Sequence, residues 1–431
     1  MSTDHDTNSR TIKVTEVIFR DDLYPRIETS AVTVQKYAED LDVLPPIEVN
    51  QHNELIDGWH RWTAHKKAKA EEIKAIVTQT KSEAEFLELA IERNAAHGLQ
   101  LSINDKESMA IKIWLGTPKD QQSATEERLC KILSVGPKQV SRFLSRAKKE
   151  GKESDKKTAF AMWLACHTQD GIAEKIGVPQ KTVDDWIKTF SDYGQMSDSA
   201  KTLASHTDEK FEKPIYNIWK QQTKSEGSSH FGNSETRWVD NLLYLYTEPF
   251  DIVVDPFAGG GSTIDVCKKR FRRYYVSDRK PIVEREKEIR VHDLTDGLPK
   301  PPSWKDVKLV YLDPPYWKQA EGQYSDDPTD LANMRLDDFN KSLSGIINDF
   351  GKKLSNAYIA MIIQPTQWKS PDRGFTDHVG DMLRMVKLPV EMRFSVPYES
   401  QQCNAQMVEW AKENKRCLVL TREIIVWRVQ K

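Results

Sequence analysis

The sequence predicts a multidomain chain: a small α+β unit, a helical region, and a C-terminal α/β unit built on a mostly parallel sheet. Three observations lead there. Strand and helix patterns mix from about Thr11 to Trp114, apolar spacing turns helical between about Gly116 and Tyr193, and strands and helices alternate after His230. At 431 residues the chain is too long for one ordinary hydrophobic core. Domain limits are expected at 11–115, 116–193 and 230–431, with residues 194–229 as a linker.

In the first part, "TIKVTEVIF" reads as a strand and "VTVQKYAEDL" as a helix. "PPIEVNQHNELIDGWHRWTAHKKA" reads as strand, turn and helix, and "IKAIVTQ" as a further strand. The helical region repeats a helix, glycine turn, helix layout in "LCKILSVGPKQVSRFLSRAKK" and "DGIAEKIGVPQKTVDDWIKTF", which predicts two helix-turn-helix units. The linker is polar and ends in "SEGSS". In the last part "DIVVDPFAGGGS" is a strand entering a glycine loop and "TIDVCKKRF" a helix. "RYYVSD", "KLVYLDPPY", "NAYIAMIIQP" and "REIIVWRV" follow as strands.

Composition narrows the function. Charged residues make up 30% and the formal net charge is −2, so contact with nucleic acid has to come from a local patch. The five cysteines are scattered and form no CxxC, which argues against a disulfide framework and a zinc site. The polar N-terminus and the lack of a long apolar run predict a cytoplasmic protein that stays off the membrane.

Chemistry concentrates in two segments of the last part. In "DPFAGGGST" a strand ends at Asp255 and runs into Gly259, Gly260 and Gly261. Glycines there allow a sharp turn and close approach of a nucleotide-like ligand to a helix N-terminus. The spacing departs from GxGxxG and no phosphate-loop lysine follows, which disfavours dinucleotides and ATP. Asp278, ending the next strand, is suited to a ribose hydroxyl, and Asp293 to an adenine edge. The second segment is "DPPY". A carboxylate at Asp313 and the Pro314 carbonyl accepting both N–H bonds of an exocyclic base amine would localise its lone pair for attack. Pro314 and Pro315 stiffen the turn and remove competing donors, and Tyr316 offers a face for an extruded base.

"DPFAGGG" followed by "DPPY" resembles the amino-methylating DNA methyltransferases that use S-adenosyl-L-methionine, over roughly His230 to Lys431. The resemblance implies a Rossmann-like methyltransferase domain in which Asp255, Pro256, Phe257, Gly259 and Gly261 hold the methionine side of the cofactor. It gives the ribose to Asp278, the adenine amine to Asp293, and the target base to Asp313, Pro314, Pro315 and Tyr316. His230 and Phe231 match the family's flanking segment and would close over the cofactor. Adenine N6 is favoured over cytosine N4 on resemblance alone. The short interval between Gly261 and Asp313 leaves no room for a separate recognition region, so sequence reading falls to short loops such as "YSDDPTDLANMRLDDF" and "TQWKSPDRGFTDH", or to upstream domains.

"DGWHRWTAHKKA" and "IERNAAHGLQLSINDKESMA" resemble the N-terminal domain of ParB-like proteins, a fold shared with sulfiredoxin. That resemblance implies nucleotide contacts at Arg26, Arg61, Asn94 and His97. His60 replaces an arginine common in ParB segregation proteins, and "ERNAAHG" replaces ENxxR, which sets nucleotide hydrolysis in question. Beyond it, Lys138, Gln139, Arg142 and Arg146 lie in a basic stripe suited to duplex DNA, and Gln180, Lys181 and Thr182 open a second recognition helix beside the acids Asp184 and Asp185. The expected function is methyl transfer to double-stranded DNA without a metal. A ParB-like DNA-binding regulator with a vestigial methyltransferase domain is the alternative, and homodimerisation stays open.

Overall fold

The structure, a computed structural model, describes residues 9–96, 101–220, 235–318, 327–367, 376–397 and 405–430. It divides into two compact units, Met1–Asp155 and Lys156–Lys431.

The first unit carries β1 (Ser9–Lys13), α1 (Ala31–Glu39), β2 (Ile47–Val49), β3 (Leu55–Asp57), α2 (Trp59–Lys67), β4 (Glu72–Val77), α3 (Glu83–Ala96), α4 (Ile103–Gly116), α5 (Gln122–Ile132) and the start of α6 (Pro137–Leu164). Its sheet runs β1-β4-β2-β3, with β2 parallel to β4 and the other pairs antiparallel. The expected first strand is shorter than its β-branched composition suggests. After Lys13 the chain makes a 3-10 turn at Val14–Glu16 that buries Val14 and brings Val17 into the same core. Gly58 enters α2 with φ of +104°, and a Cβ there would come within 2.7 Å of Ile47 Cγ2, so this turn requires glycine. A capping box at Ser102 and Asp105 starts α4. The apolar stripes of α3 to α6 then close a separate helical core containing Ile91, Trp114, Leu129 and Phe143.

The second unit begins with the last turns of α6, then α7 (Gln169–Ile176), α8 (Gln180–Phe190) and α9 (Asp198–Ala204). There follow α10 (Thr236–Tyr246), β5 (Ile252–Asp255), α11 (Ser262–Lys269), β6 (Arg273–Asp278), β7 (Arg290–Val291), β8 (Val307–Leu312), α12 (Leu336–Lys353) and β9 (Ala357–Ile363). A small hairpin of β10 (Thr366–Gln367) and β11 (Thr376–Asp377), then α13 (His378–Met385), β12 (Val390–Pro397), α14 (Ala405–Glu413) and β13 (Thr421–Val429), complete it.

Seven strands form one sheet in the order β12-β13-β9-β8-β5-β6-β7. β5 through β9 pair in parallel, and β13 lies antiparallel between β9 and β12. Alternation along the strands feeds two cores: Val253, Leu309, Ala360 and Ile424 face one, and Val254, Val310, Ile359 and Ile425 the other. The chain enters at β5, builds β6 and β7 to one side and returns to β8 on the other. The strand order therefore reverses between β5 and β8, which is where an open α/β sheet leaves a crevice beyond its carboxyl ends.

Two expectations about organisation change. Residues 198–219 lie in the expected linker, yet they are built into the second unit. Arg270, fully buried, donates to Asp240 through Nε (2.7 Å) and Nη2 (2.8 Å), to the Leu203 carbonyl (3.0 Å) and to Asp208. Arg272, also buried, reaches Thr247 and the Ala204 carbonyl. Further on, Trp219 and Asn217 bond the Ser395 backbone, and the Trp219 ring stacks on Phe394 at 4.0 Å. Polar composition hides this anchoring, because only a few buried side chains carry it.

The α7–α8 pair likewise shares the core of the second unit through Ile172, Val183, Trp186 and Ile187. At the end of α6, Phe160 meets Phe271, Trp163 meets Phe250 and Arg273, and the Ala165 carbonyl accepts from Arg290. Phe250, Phe271 and Arg273 stand at the amino ends of β5 and β6. The end of α6 is thus held at the amino ends of β5 and β6, and Phe190 of α8 meets Phe160 with ring centres 5.0 Å apart.

Candidate active site

The crevice is built from the strand ends. Asp255 closes β5 and is 2% exposed, its Oδ1 accepting from the Phe257 amide (2.9 Å) and Oδ2 from Thr263 Oγ1 (2.6 Å). These bonds fold the loop back on its own strand. Burial pushes the Asp255 carboxyl up to about 7, against the pull of those two donors, and the charges of Asp313 and Asp278 add to the rise. Asp278, at the end of β6, accepts from the Gly259 amide at 3.0 Å and the Lys280 amide at 2.9 Å. The Ala258 amide donates to the Ser277 carbonyl at 3.1 Å, so the glycine loop is tied to both parallel strands. Gly261 caps α11 with φ of +81°. A Cβ there would crowd Arg285 and Ile264 at 3.2–3.3 Å, which demands glycine on conformation and on space.

Asp313 follows β8, next to β5. The turn after it is braced from below: Trp317 is buried and donates through Nε1 to the Met334 carbonyl at 3.0 Å, and Lys318 bonds the Ala332 and Asn333 carbonyls. Pro314 is buried, while Asp313, Pro315 and Tyr316 are half-buried at the crevice. The Tyr316 hydroxyl lies 3.4 Å from Asp313 Oδ1. Arg422, near the start of β13, places its guanidinium carbon 5.0 Å from the centre of the Tyr316 ring.

Asp293 has a fuller set of partners than its expected role requires. Oδ1 caps the short 3-10 turn Leu294–Asp296 through Thr295 N (2.9 Å) and Oγ1 (2.8 Å), and Oδ2 pairs with Arg279 Nε at 2.8 Å. Burial would raise its carboxyl, but the Thr295 donors and Arg279 hold it below the usual carboxylate range. Arg279 also reaches Asp327, so one arginine links the Asp293 turn to the segment behind the Asp313 turn.

Asp255, Pro256, Phe257, Gly259, Gly261, Asp278 and Asp313 to Tyr316 therefore gather at adjacent strand ends. His230, Phe231 and His97 lie outside the described residues, as do the first part of "YSDDPTDLANMRLDDF" and most of "TQWKSPDRGFTDH". In the first unit, Asn94 is 2% exposed, donating to the Ile56 and Ala90 carbonyls and accepting from Arg26 Nε at 3.1 Å. Arg61 pairs with Asp57 at 2.6 Å and donates to the Pro45 carbonyl at 3.1 Å. Both hold the turn that begins α2, a structural use that the nucleotide expectation did not include. Lys138 and Arg142 are exposed on α6; Arg146 pairs with Glu150. Gln180 and Lys181 are exposed at the start of α8, with Gln180 bonded to Gln169 and Thr182 half-buried.

Sequence reading missed Thr263, Arg279 and Arg422. Thr263 follows the glycine loop, and Arg279 adjoins Asp278, so both had a local signal. Arg422 had none, because only the antiparallel placement of β13 brings its first residues to the rim where β9 ends.

Residues 98–285 match the family described as DNA methylase, and residues 4–95 match the ParB N-terminal domain. The first match takes in the glycine loop and Asp278 and ends before Asp313. The chain combines a ParB N-terminal domain with a DNA methylase domain. No curated protein matches it. Among solved structures, the chromosome-partitioning protein ParB from Caulobacter crescentus complexed with CTP-γ-S is 17% identical, covering 32% of this chain and 77% of that one, with a TM-score of 0.20. A Pnob8-like ParB-N domain is 16% identical over 46% of this chain and 86% of that one, at a TM-score of 0.28. The Burkholderia thailandensis 1,6-didemethyltoxoflavin-N1-methyltransferase is 13% identical over 46% and 78%, also at 0.28.

Proposed function

We propose that the chain transfers a methyl group from S-adenosyl-L-methionine to an exocyclic amine of a base in double-stranded DNA, with adenine N6 favoured over cytosine N4. The observation that carries this reading is the convergence of the glycine loop, Asp278 and Asp313–Tyr316 on the crevice between β5 and β8. The residues fit the cofactor. The loop turns through positive φ at Gly259 and Gly261, which brings its backbone to the strand ends, and Asp255, Asp278 and Asp313 create a negative field suited to a cation. When bound, the cofactor supplies a methyl group on a sulfonium that already carries its leaving group.

The chain's own residues then have distinct tasks in a Rossmann-like domain. Asp278 keeps the glycine loop closed and has lone pairs left for ribose hydroxyls. Asp293 offers its remaining lone pairs to the adenine amine of the cofactor, with Arg279 and Thr295 fixing its direction. Asp313 and the Pro314 carbonyl accept the two N–H bonds of the target amine, which localises its lone pair toward the methyl carbon. Tyr316 stacks on the extruded base, and the amine proton leaves to water after transfer. Positioning and electrostatics supply the rate.

The helix pairs are assigned different parts. The α5–α6 pair, with Lys138 and Arg142 exposed and Gln139 half-buried, is the preferred helix-turn-helix for DNA phosphate contact. The α7–α8 pair is primarily a brace for the catalytic sheet, because Ile172, Val183, Trp186 and Ile187 share its core and Phe190 meets Phe160, the α6 residue that packs on Phe271. Incubation with labelled S-adenosyl-L-methionine and unmethylated DNA, followed by nucleoside mass analysis, tests the proposal. Methylated adenine or cytosine from the parent and none from Asp313→Ala is the expected result. No label from the parent, with the cofactor bound, would overturn it.

A further inference from the structure

We infer that Arg422 is a positioning residue of the methyl-transfer site, holding the Tyr316 ring against the target base. This inference rests on the function proposed above and adds a residue to its machinery. β13 runs antiparallel to β9, so its opening residues return to the rim where the parallel strands end: Glu423 pairs with Ile363, the last residue of β9. From that rim the Arg422 guanidinium covers one face of Tyr316, 5.0 Å from the ring centre. A planar guanidinium is attracted to the electron-rich face of an aromatic ring, and this attraction grows where water is excluded.

Three consequences follow from the geometry. With one ring face covered by Arg422, the opposite face is the one offered to a base. The cation draws electron density from the ring, which favours stacking of an electron-rich purine on that opposite face. The Tyr316 hydroxyl lies 3.4 Å from Asp313 Oδ1, so a fixed ring also steadies the carboxylate that receives the target amine. Arg422 thus acts on two groups that touch the base without touching it itself. Its neighbour Glu423 is occupied elsewhere, paired with Arg393 at 2.6 Å on β12, so Arg422 is the residue at this strand end directed to the turn.

The test compares the full-length parent with Arg422→Met, Arg422→Lys and Asp313→Ala in labelled methyl transfer to unmethylated DNA, with kcat and KM for both substrates. Arg422→Met keeps the length of the side chain and loses the cation and its plane. A fall in kcat of about five- to tenfold, in line with one partly buried cation–π contact, is expected, with KM for the cofactor unchanged. Arg422→Lys should recover part of the loss, since it restores charge without the planar face. A merely structural residue would lower thermal stability and all kinetic constants together. If Arg422→Met turns over as fast as the parent or faster, or if its loss is all in cofactor KM, the inference fails while the function stands. If the parent itself transfers no label, the function fails and this role with it.

Discussion

Replacing Asp255 by asparagine should stabilise the protein, and by an amount that depends on pH. Asparagine keeps both local bonds in kind: its carbonyl can accept from the Phe257 amide, and its amide can donate to Thr263 Oγ1. What it removes is a charge at a site that is 2% exposed. The Asp255 carboxyl is pushed up to about 7 in the folded protein, against about 3.9 in an unfolded chain. Between those values the native state binds more protons than the unfolded state, so parent stability falls as pH rises through this window and is level above it. Three pH units at about 1.4 kcal/mol each set an upper size near 4 kcal/mol, and relaxation around a buried charge brings it to roughly 2–4 kcal/mol. The window from pH 5 to 8 spans about two of those three units, so for a unit of this size the gain in Tm at pH 8 exceeds that at pH 5 by roughly 3–7 °C.

The assay is thermal unfolding of parent and Asp255→Asn at pH 5, 6, 7 and 8, followed by circular dichroism. About a third of the difference should be present at pH 5, growing to a plateau above pH 7. A difference that is constant across the series would refute the claim that a buried, titrating carboxyl sits there. The same substitution should narrow the preference for cationic S-adenosyl-L-methionine over neutral S-adenosylhomocysteine, measured by calorimetry at pH 8 where Asp255 is ionised, because one of three negative charges around the crevice is then gone.

Arg270→Met should leave Asp240 and Asp208 short of their main cation and lower Tm by roughly 10 °C, from a cost of about 3–5 kcal/mol for breaking a buried pair. Burial raises the Asp240 carboxyl, but its bonds from His206 and Arg270 outweigh that and hold it well below the ordinary range, so this contribution is present above about pH 4 and lost below it. Without Arg270 burial prevails, and the deficit of the variant should shrink as pH falls from 7 toward 4. A deficit that widens on acidification would contradict that assignment. Truncation separates the helical segments: a chain beginning at Gly151 should unfold in one cooperative transition and bind the cofactor, whereas one beginning at Ala200 lacks Trp163, Ile172, Trp186 and Ile187 from the core and should do neither. Equal melting temperatures for the two would remove the bracing role given to α7 and α8.

Much of the fold was legible because the catalytic unit uses local signals. A run of apolar residues ending in Asp255 and glycine, or in Asp313 and proline, marks a buried strand leaving its sheet, and the side-chain types at those ends declare the chemistry. The helices α5 to α8 were equally readable from their apolar spacing and glycine turns. By itself the sequence therefore determined the mixed α/β character, the position of the glycine loop and the acid-proline-tyrosine turn.

The tertiary structure decided which of these features work together. It bound residues 198–219 to the catalytic unit through Arg270, Arg272 and Trp219, where composition read as linker. It packed α7 and α8 into the core of the catalytic unit, where the helix pattern alone suggested a second reader of DNA. It committed Asn94 and Arg61 to internal bonds, and it carried Arg422 to Tyr316. The physical reason is common to all four. Local pattern records what a residue does to its own strand or helix, whereas a partner across the fold is chosen by sheet order and strand direction, which only long-range pairing sets.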